Sequence, residues 1–122
     1  MSHVLVTIKG SATGSTATDR IGHWSSDLQL LTDLHQPDPR PNAHKVLNGE
    51  LVGATQNQAM LEAIRQALTA LKREGLTVTI VTTNPYLIGV LARHWKPSRN
   101  HDLIAEIKAL MGKHTVHFQK PA

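Results

Sequence analysis

The residues that could do chemistry in this 122-residue chain are unevenly supplied. Metal-assisted hydrolysis needs clustered carboxylates. The acids available are Asp19, Asp27, Asp33, Asp38, Glu50, Glu62, Glu74, Asp102 and Glu106. Asp19 and Asp27 fall in or near a first hairpin. Asp102 opens a helix, where an N-cap or first-turn acid meets the helix dipole. There is no cysteine, which excludes a thiol nucleophile, a zinc ribbon and a disulfide scaffold. The histidines offer no metal-binding pattern either. His114 and His117 stand three apart on an expected strand and so face opposite ways. His3 and His23 could be cross-strand neighbours, but a pair alone makes no site. No His-Glu-x-x-His occurs, and no metal or cofactor is expected. The histidines would instead add positive charge below about pH 6.5.

Phosphate capture and base stacking are better supplied. Thirteen Lys and Arg outnumber nine Asp and Glu, for a formal net charge of +4. The cations are dispersed, with no run longer than Lys72-Arg73, so the chain has no basic tail. The densest basic and aromatic cluster is Trp95 with Arg93, Lys96 and Arg99. A base or sugar could lie on Trp95 while the cations meet phosphates; the plain alternative is a tryptophan closing the core at a helix end. Gly10 to Ser15 is a small-residue stretch without the Gly-Lys-Ser/Thr of a nucleotide loop, and reads as a hairpin turn. Thr55, Gln56 and Asn57 precede a helical pattern, where N-capping explains short polar residues. Asn84 and Asn100 stand at the starts of two further helices.

Each of these residues needs an element to hold it. Val4, Val6 and Ile8 mark a first buried strand. Ile21 to Leu31 is a second, with Trp24, Ser26, Leu28 and Leu30 on one face. Three prolines between Gln36 and Asn42 impose an extended loop. His44 to Val52 is a third strand, with a bulge or bend expected at Asn48-Gly49. The period then becomes helical through Met60, Ile64, Ala67, Leu68 and Leu71, with Thr55 or Asn57 as N-cap and Gly75 as the stop. Leu76 to Thr83 is a β-branched central strand. Asn84-Pro85 starts a second helix, extended to Trp95 and broken by Lys96-Pro97-Ser98. Asp102 to Met111 is a third helix ending at Gly112, and Thr115 to Gln119 a last strand.

The order β-β-β-α-β-α-α-β implies an α/β fold: a five-stranded mixed sheet, three antiparallel strands then two parallel, flanked by helices on its faces. A hydrophobic content of 40% supports one core, so residues 1–122 form a single domain and disorder is excluded. No apolar run reaches the ~20 residues of a membrane helix. Met1-Ser2-His3 lacks signal-peptide character, and the expected location is cytoplasmic.

Several local sequences, in this order, resemble the ribonuclease H family over nearly the whole chain. Lys9-Gly10-Ser11 stands where the family has Asp-Gly-Ser, and Gly22-His23-Trp24 is similar to the start of its second strand. Thr55-Gln56-Asn57 resembles its Thr-Asn-Asn, Thr82-Thr83-Asn84-Pro85-Tyr86-Leu87 its Thr-Asp-Ser-x-Tyr-Val, and Asn100-His101-Asp102-Leu103 its Asn-x-Asp-Leu. Family members hold two magnesium ions with four carboxylates. By resemblance, three of those positions are Lys9, Met60 and Thr83 here. The chain stops after the fifth strand, so the final helix and its aspartate are expected to be absent. Glu62 lies two residues past Met60, about 200° around a helix, and should point away from the sheet end. Lys9 would place an ammonium at the metal position, where it cannot activate water but could hold a phosphate; otherwise it is a solvated lysine at a strand end.

The resemblance therefore implies a catalytically inactive, ribonuclease H-like nucleic-acid-binding protein. The implied partner is RNA/DNA hybrid or another duplex such as double-stranded RNA, held by its backbone without cleavage. The implied contacts are Lys9, Gly10, Ser11, Thr55, Gln56, Asn57, Asn84, Arg93, Trp95, Lys96 and Asn100. The family's basic protrusion, where present, is longer than Arg93 to Arg99 allows. Two other readings stand beside this one: a protein-interaction or dimerisation module, and a ribonuclease with a relocated metal site. A side left bare by the missing helix would favour a homodimer or a protein partner.

Overall fold

The computed structural model describes residues 3–16, 18–32 and 36–121. Asp33, one of the nine acids, lies outside them. The elements are β1 (His3–Thr13), β2 (Ile21–Leu31), a 3-10 turn (Pro41–Ala43), β3 (His44–Val52), α1 (Gln56–Ala70), β4 (Thr77–Val81), α2 (Pro85–Ala92), α3 (His101–Met111) and β5 (Thr115–Gln119). They form one five-stranded sheet in the order β3-β2-β1-β4-β5. β1, β2 and β3 pair antiparallel, while β4 runs parallel to β1 and β5 parallel to β4. This is the mixed α/β architecture that the pattern of periods implies.

The core forms where apolar strand positions meet the helical stripe. Val4, Val6 and Ile8 of β1, Leu28 of β2, and Val78 and Ile80 of β4 pack against Leu61, Ile64 and Leu68 of α1. Each of those side chains, fully buried, contributes about 1.5–3 kcal/mol. Ser26 is fully buried beneath α1 and is satisfied because its hydroxyl donates to the Ala63 carbonyl. A small hydroxyl there lets the helix approach the sheet without an unpaired polar group. α3 packs beside α1 through Ile104 and Ile107, and α2 adds Leu87, Val90 and Leu91.

Of the flanking helices, α1 covers one face and α2 and α3 gather beside it. The other face carries His3, Leu5, Thr7 and Lys9 of β1. It is largely polar: His23 faces Glu50 at 3.6 Å and His44 faces Asp27 at 2.7 Å. Among the described residues the exposed large apolar side chains are Val46, Val52 and Trp95. Two sit on edge strand β3 and one follows α2. No described helix is long and apolar enough to cross a membrane.

Four local expectations are corrected. Gly10 to Thr13 are strand, not turn, because β1 and β2 pair without interruption from His3–Leu31 to Thr13–Ile21. The chain turns only at Gly14, with φ of +94°. There Asp19 accepts from the Thr16 amide and hydroxyl, which lower its carboxyl pKa. No bulge occurs at Asn48-Gly49, since the β2–β3 register is continuous. Gly49 instead makes room for the Trp24 indole: a Cβ there would lie 2.8 Å from Trp24 Cζ2. α1 ends at Ala70, where Leu71 turns extended, rather than at Gly75. Gly75, with φ of +75°, shapes the later turn into β4. α2 ends at Ala92, before Trp95. A last pairing also fails: His3 lies opposite Leu31 and His23 opposite Ser11, at the two ends of the hairpin.

Candidate nucleic-acid interface

Parallel pairing puts the carboxyl ends of β1 and β4 side by side, and the first turn of α1 arrives at the same place. Thr55 caps α1: its hydroxyl accepts from the Gln58 amide at 3.2 Å, and the Gln58 side chain accepts from the Thr55 amide at 2.8 Å. This capping box fixes the helix start. Gln56 then reaches back to donate to the Gly10 carbonyl at 3.3 Å. Asn84 caps α2 by accepting from the amides of Tyr86 and Leu87. Its Nδ2 donates to Asn57 Oδ1 at 2.8 Å and contacts Met60 Sδ at 3.2 Å. One asparagine thus ties α2 to α1 and closes the floor between them.

Met60 and Gly10 make the closest approach of helix to sheet here. A Cβ on Gly10 would stand 2.6 Å from Met60 Cγ and 2.9 Å from the Met60 backbone nitrogen. Strand alternation therefore makes Gly10, not Lys9, the β1 residue that faces α1. Lys9 is exposed, and its Cβ projects from the opposite face of the sheet. Lys9 and Met60 nonetheless line one cleft. Thr83 is exposed just beyond β4. Glu62 is 7% exposed and pairs with Arg65, which also approaches Glu106 at 3.6 Å. That pairing raises the Arg65 pKa and occupies Glu62 away from the sheet end. No group of three or more His, Cys, Asp or Glu that could hold a metal ion occurs among the described residues.

Two openings flank this junction. A cavity of about 400 Å³ is lined by Thr55, Asn57, Gln58, Tyr86, Ser98, Arg99 and Asn100. Asn100 adopts the left-handed conformation, φ +64°, and its side chain makes no cap hydrogen bond, a conformation that asparagine tolerates better than most residues. Asn57 Nδ2, the Asn100 amide and the Arg99 guanidinium are the donors this wall can offer a ligand. A second cleft, of about 490 Å³, is lined by Ile8, Lys9, Gly10, Ser11, His23, Trp24, Ser25 and Met60.

The structure therefore gathers Gly10, Thr55, Gln56, Asn57, Asn84 and Asn100, with Ser11 on the rim of the second cleft. Thr55 and Asn84 act mainly as caps. Arg93, Trp95 and Lys96 lie apart from this junction on the segment after α2. Trp95 is 49% exposed and rests on Gly89, where any Cβ would overlap its ring. The Gly89 carbonyl accepts from the amides of both Arg93 and Trp95. His94 between them has φ of +58°. Sequence reasoning missed Trp24, His23, Ser25 and Tyr86 as cavity walls. The signal for Trp24 was its register between two glycines, Gly10 on one strand and Gly49 on the other, which only pairing reveals.

No family model and no curated protein matches the chain. Solved structures do. LC9-RNase H1, a type 1 ribonuclease H with the type 2 active-site motif, superposes with a TM-score of 0.73 at 16% identity, over 99% of this chain. The chain spans 63% of that protein's length. The N-terminal ribonuclease H domain of Rv2228c from Mycobacterium tuberculosis superposes with a TM-score of 0.64 at 14% identity, covering 97% of this chain and 82% of the other. The strand order, the three helices beside one sheet face and these superpositions agree: the chain has a ribonuclease H-like fold.

Proposed function

We propose that this chain is a catalytically inactive ribonuclease H-like domain that binds RNA/DNA hybrid, or another duplex of A-form shape, through its backbone without cleaving it. The observation that supports the reading is the set of residues at the positions the resemblance gives to metal ligands, Lys9, Met60 and Thr83, with no group of three or more His, Cys, Asp or Glu gathered among the described residues. At the helix-facing end of β1, where the fold brings strand and helix closest, there is no side chain at position 10 and a thioether at position 60. Lys9, Gly10 and Met60 line one cleft whose walls include no acid. Beside it the wall with Asn57, Arg99 and Asn100 keeps donors suited to phosphate and 2′-hydroxyl oxygens. A formal charge of +4 favours the encounter without dictating sequence preference.

A mobility-shift panel of single-stranded DNA, duplex DNA, duplex RNA and hybrid, each with and without Mg²⁺, tests this. The A-form duplexes should bind best, and binding should weaken linearly on a log–log plot against salt. Arg99→Ala should lower that slope by about one unit. Lys9→Glu and Arg99→Glu should each weaken binding. Absence of any shift at low salt, or Mg²⁺-dependent cleavage of the hybrid, overturns the reading.

A further inference from the structure

The cleft beside Met60 has a shape that the backbone-binding reading does not use. β1 and β2 place Gly10 opposite Trp24, and β2 and β3 place Trp24 opposite Gly49. The indole leans onto Gly49, where a Cβ would come within 2.9 Å of Cε2 and Nε1. Met60 from α1 covers Gly10 on the other side. Both side chains line the open cleft of about 490 Å³, within the size range of small-ligand sites, together with Lys9, His23 and Ser25 from the strands. Its walls are an aromatic ring and a polarisable thioether, and Ile8 adds further apolar surface.

The Trp24 indole N–H donates no hydrogen bond among the described residues, yet it is not a buried unpaired donor, so solvent reaches it. The cleft is also continuous with the α1 start, because the Gln56 amide holds the Gly10 carbonyl at its edge. A planar ring could stack on the indole face, while an acceptor lying in the indole plane, such as a sugar or phosphate oxygen of the same nucleotide, would take the indole N–H.

We propose that this cleft is a nucleobase-binding site, in which an unpaired base stacks on Trp24 against Met60. In its strand-borne form the inference rests on the reading above: the strand held at Asn57, Arg99 and Asn100 would deliver the base. A free mononucleotide offers the same ring chemistry and would enter the same cleft.

Trp24 fluorescence in a Trp95→Phe background separates the cases. The probes are a hybrid with a one-nucleotide overhang, the same hybrid with blunt ends, and AMP and UMP alone. The overhang hybrid should quench Trp24 and shield it from acrylamide, while the blunt hybrid shifts in the gel with little quenching. Trp24→Leu should erase the overhang's advantage, a loss of about tenfold in affinity for one stacked base. Quenching by the mononucleotides without any gel shift would keep the cleft as a nucleobase site and overturn the duplex reading alone. A gel shift with no change at Trp24 in any arm would overturn the cleft alone. Acrylamide protection is read on the folded protein with Trp24 intact, so a Trp24→Leu variant that fails to fold does not remove the test.

Discussion

Substituting Gly10 by alanine is the sharpest probe of the junction between β1 and α1. The added Cβ would sit 2.6 Å from Met60 Cγ, 2.9 Å from Met60 N and 3.2 Å from Met60 Cα. Ordinary carbon contacts lie at about 3.5–4.0 Å. The side-chain overlap can be relieved by a rotamer change, but the backbone overlap requires α1 to move. Overpacking of this kind costs about 1–3 kcal/mol. Against it stands the gain from replacing glycine inside a strand, roughly 0.5–1 kcal/mol. The net expectation is a destabilisation of about 1–2 kcal/mol, or a fall in Tm of roughly 3–8 °C for a chain of this size. Met60→Ala in the same chain removes the Cγ overlap and leaves the backbone one, so it should restore only part of the loss. Gly10→Asp should be worse than Gly10→Ala, because its carboxylate meets the same backbone nitrogen. Thermal and urea unfolding of the wild type and these variants measure all of this. A Gly10→Ala protein as stable as the wild type would show that α1 does not press on β1 here.

Two further outcomes follow from the packing. Arg65→Leu should cost more than the double change Glu62→Leu/Arg65→Leu, because it strands a 7% exposed carboxylate without its partner; fully buried pairs lose about 3–5 kcal/mol, and less is expected where Arg65 is partly open to water. His114 accepts a hydrogen bond from the Leu76 amide at 3.3 Å, and burial lowers its pKa below the ordinary 6.5. Its stabilising contribution should therefore be complete above about pH 6.5 and decline as pH falls, since the unfolded chain takes up the proton first. Comparing urea midpoints of wild type and His114→Gln from pH 8 to 5 should show the wild type's advantage shrinking with acid; an advantage that grows would refute it.

How far the site was legible depended on whether its residues act locally or across strands. Helix caps are local: Thr55 was one of two candidates for the start of α1, and Asn84 before Pro85 was expected to start α2, though the reciprocal bond from Gln58 was not foreseen. β2, β3 and β5 were bounded by their alternation and turn residues. The end of α1 was not, because Leu71 leaves the helix to enter a turn whose partner, the Lys113 carbonyl receiving the Gly75 amide, lies far along the chain. The same holds at Gly49, where a residue that looks like a bulge is a seat for an indole on the neighbouring strand, many positions earlier in sequence.

The amino-acid sequence by itself determined the order of elements, the mixed sheet and the absence of cysteine chemistry, because periodicity and composition are properties of neighbouring residues. Tertiary structure decided which residues share a place. Register assigned Gly10 rather than Lys9 to the side of α1, since a single step along a strand reverses the face. It also set Trp24 and Met60 across one cleft and moved Trp95 onto Gly89. The grouping of Gly10, Trp24 and Met60 depends on contact between segments many residues apart, which no local pattern records.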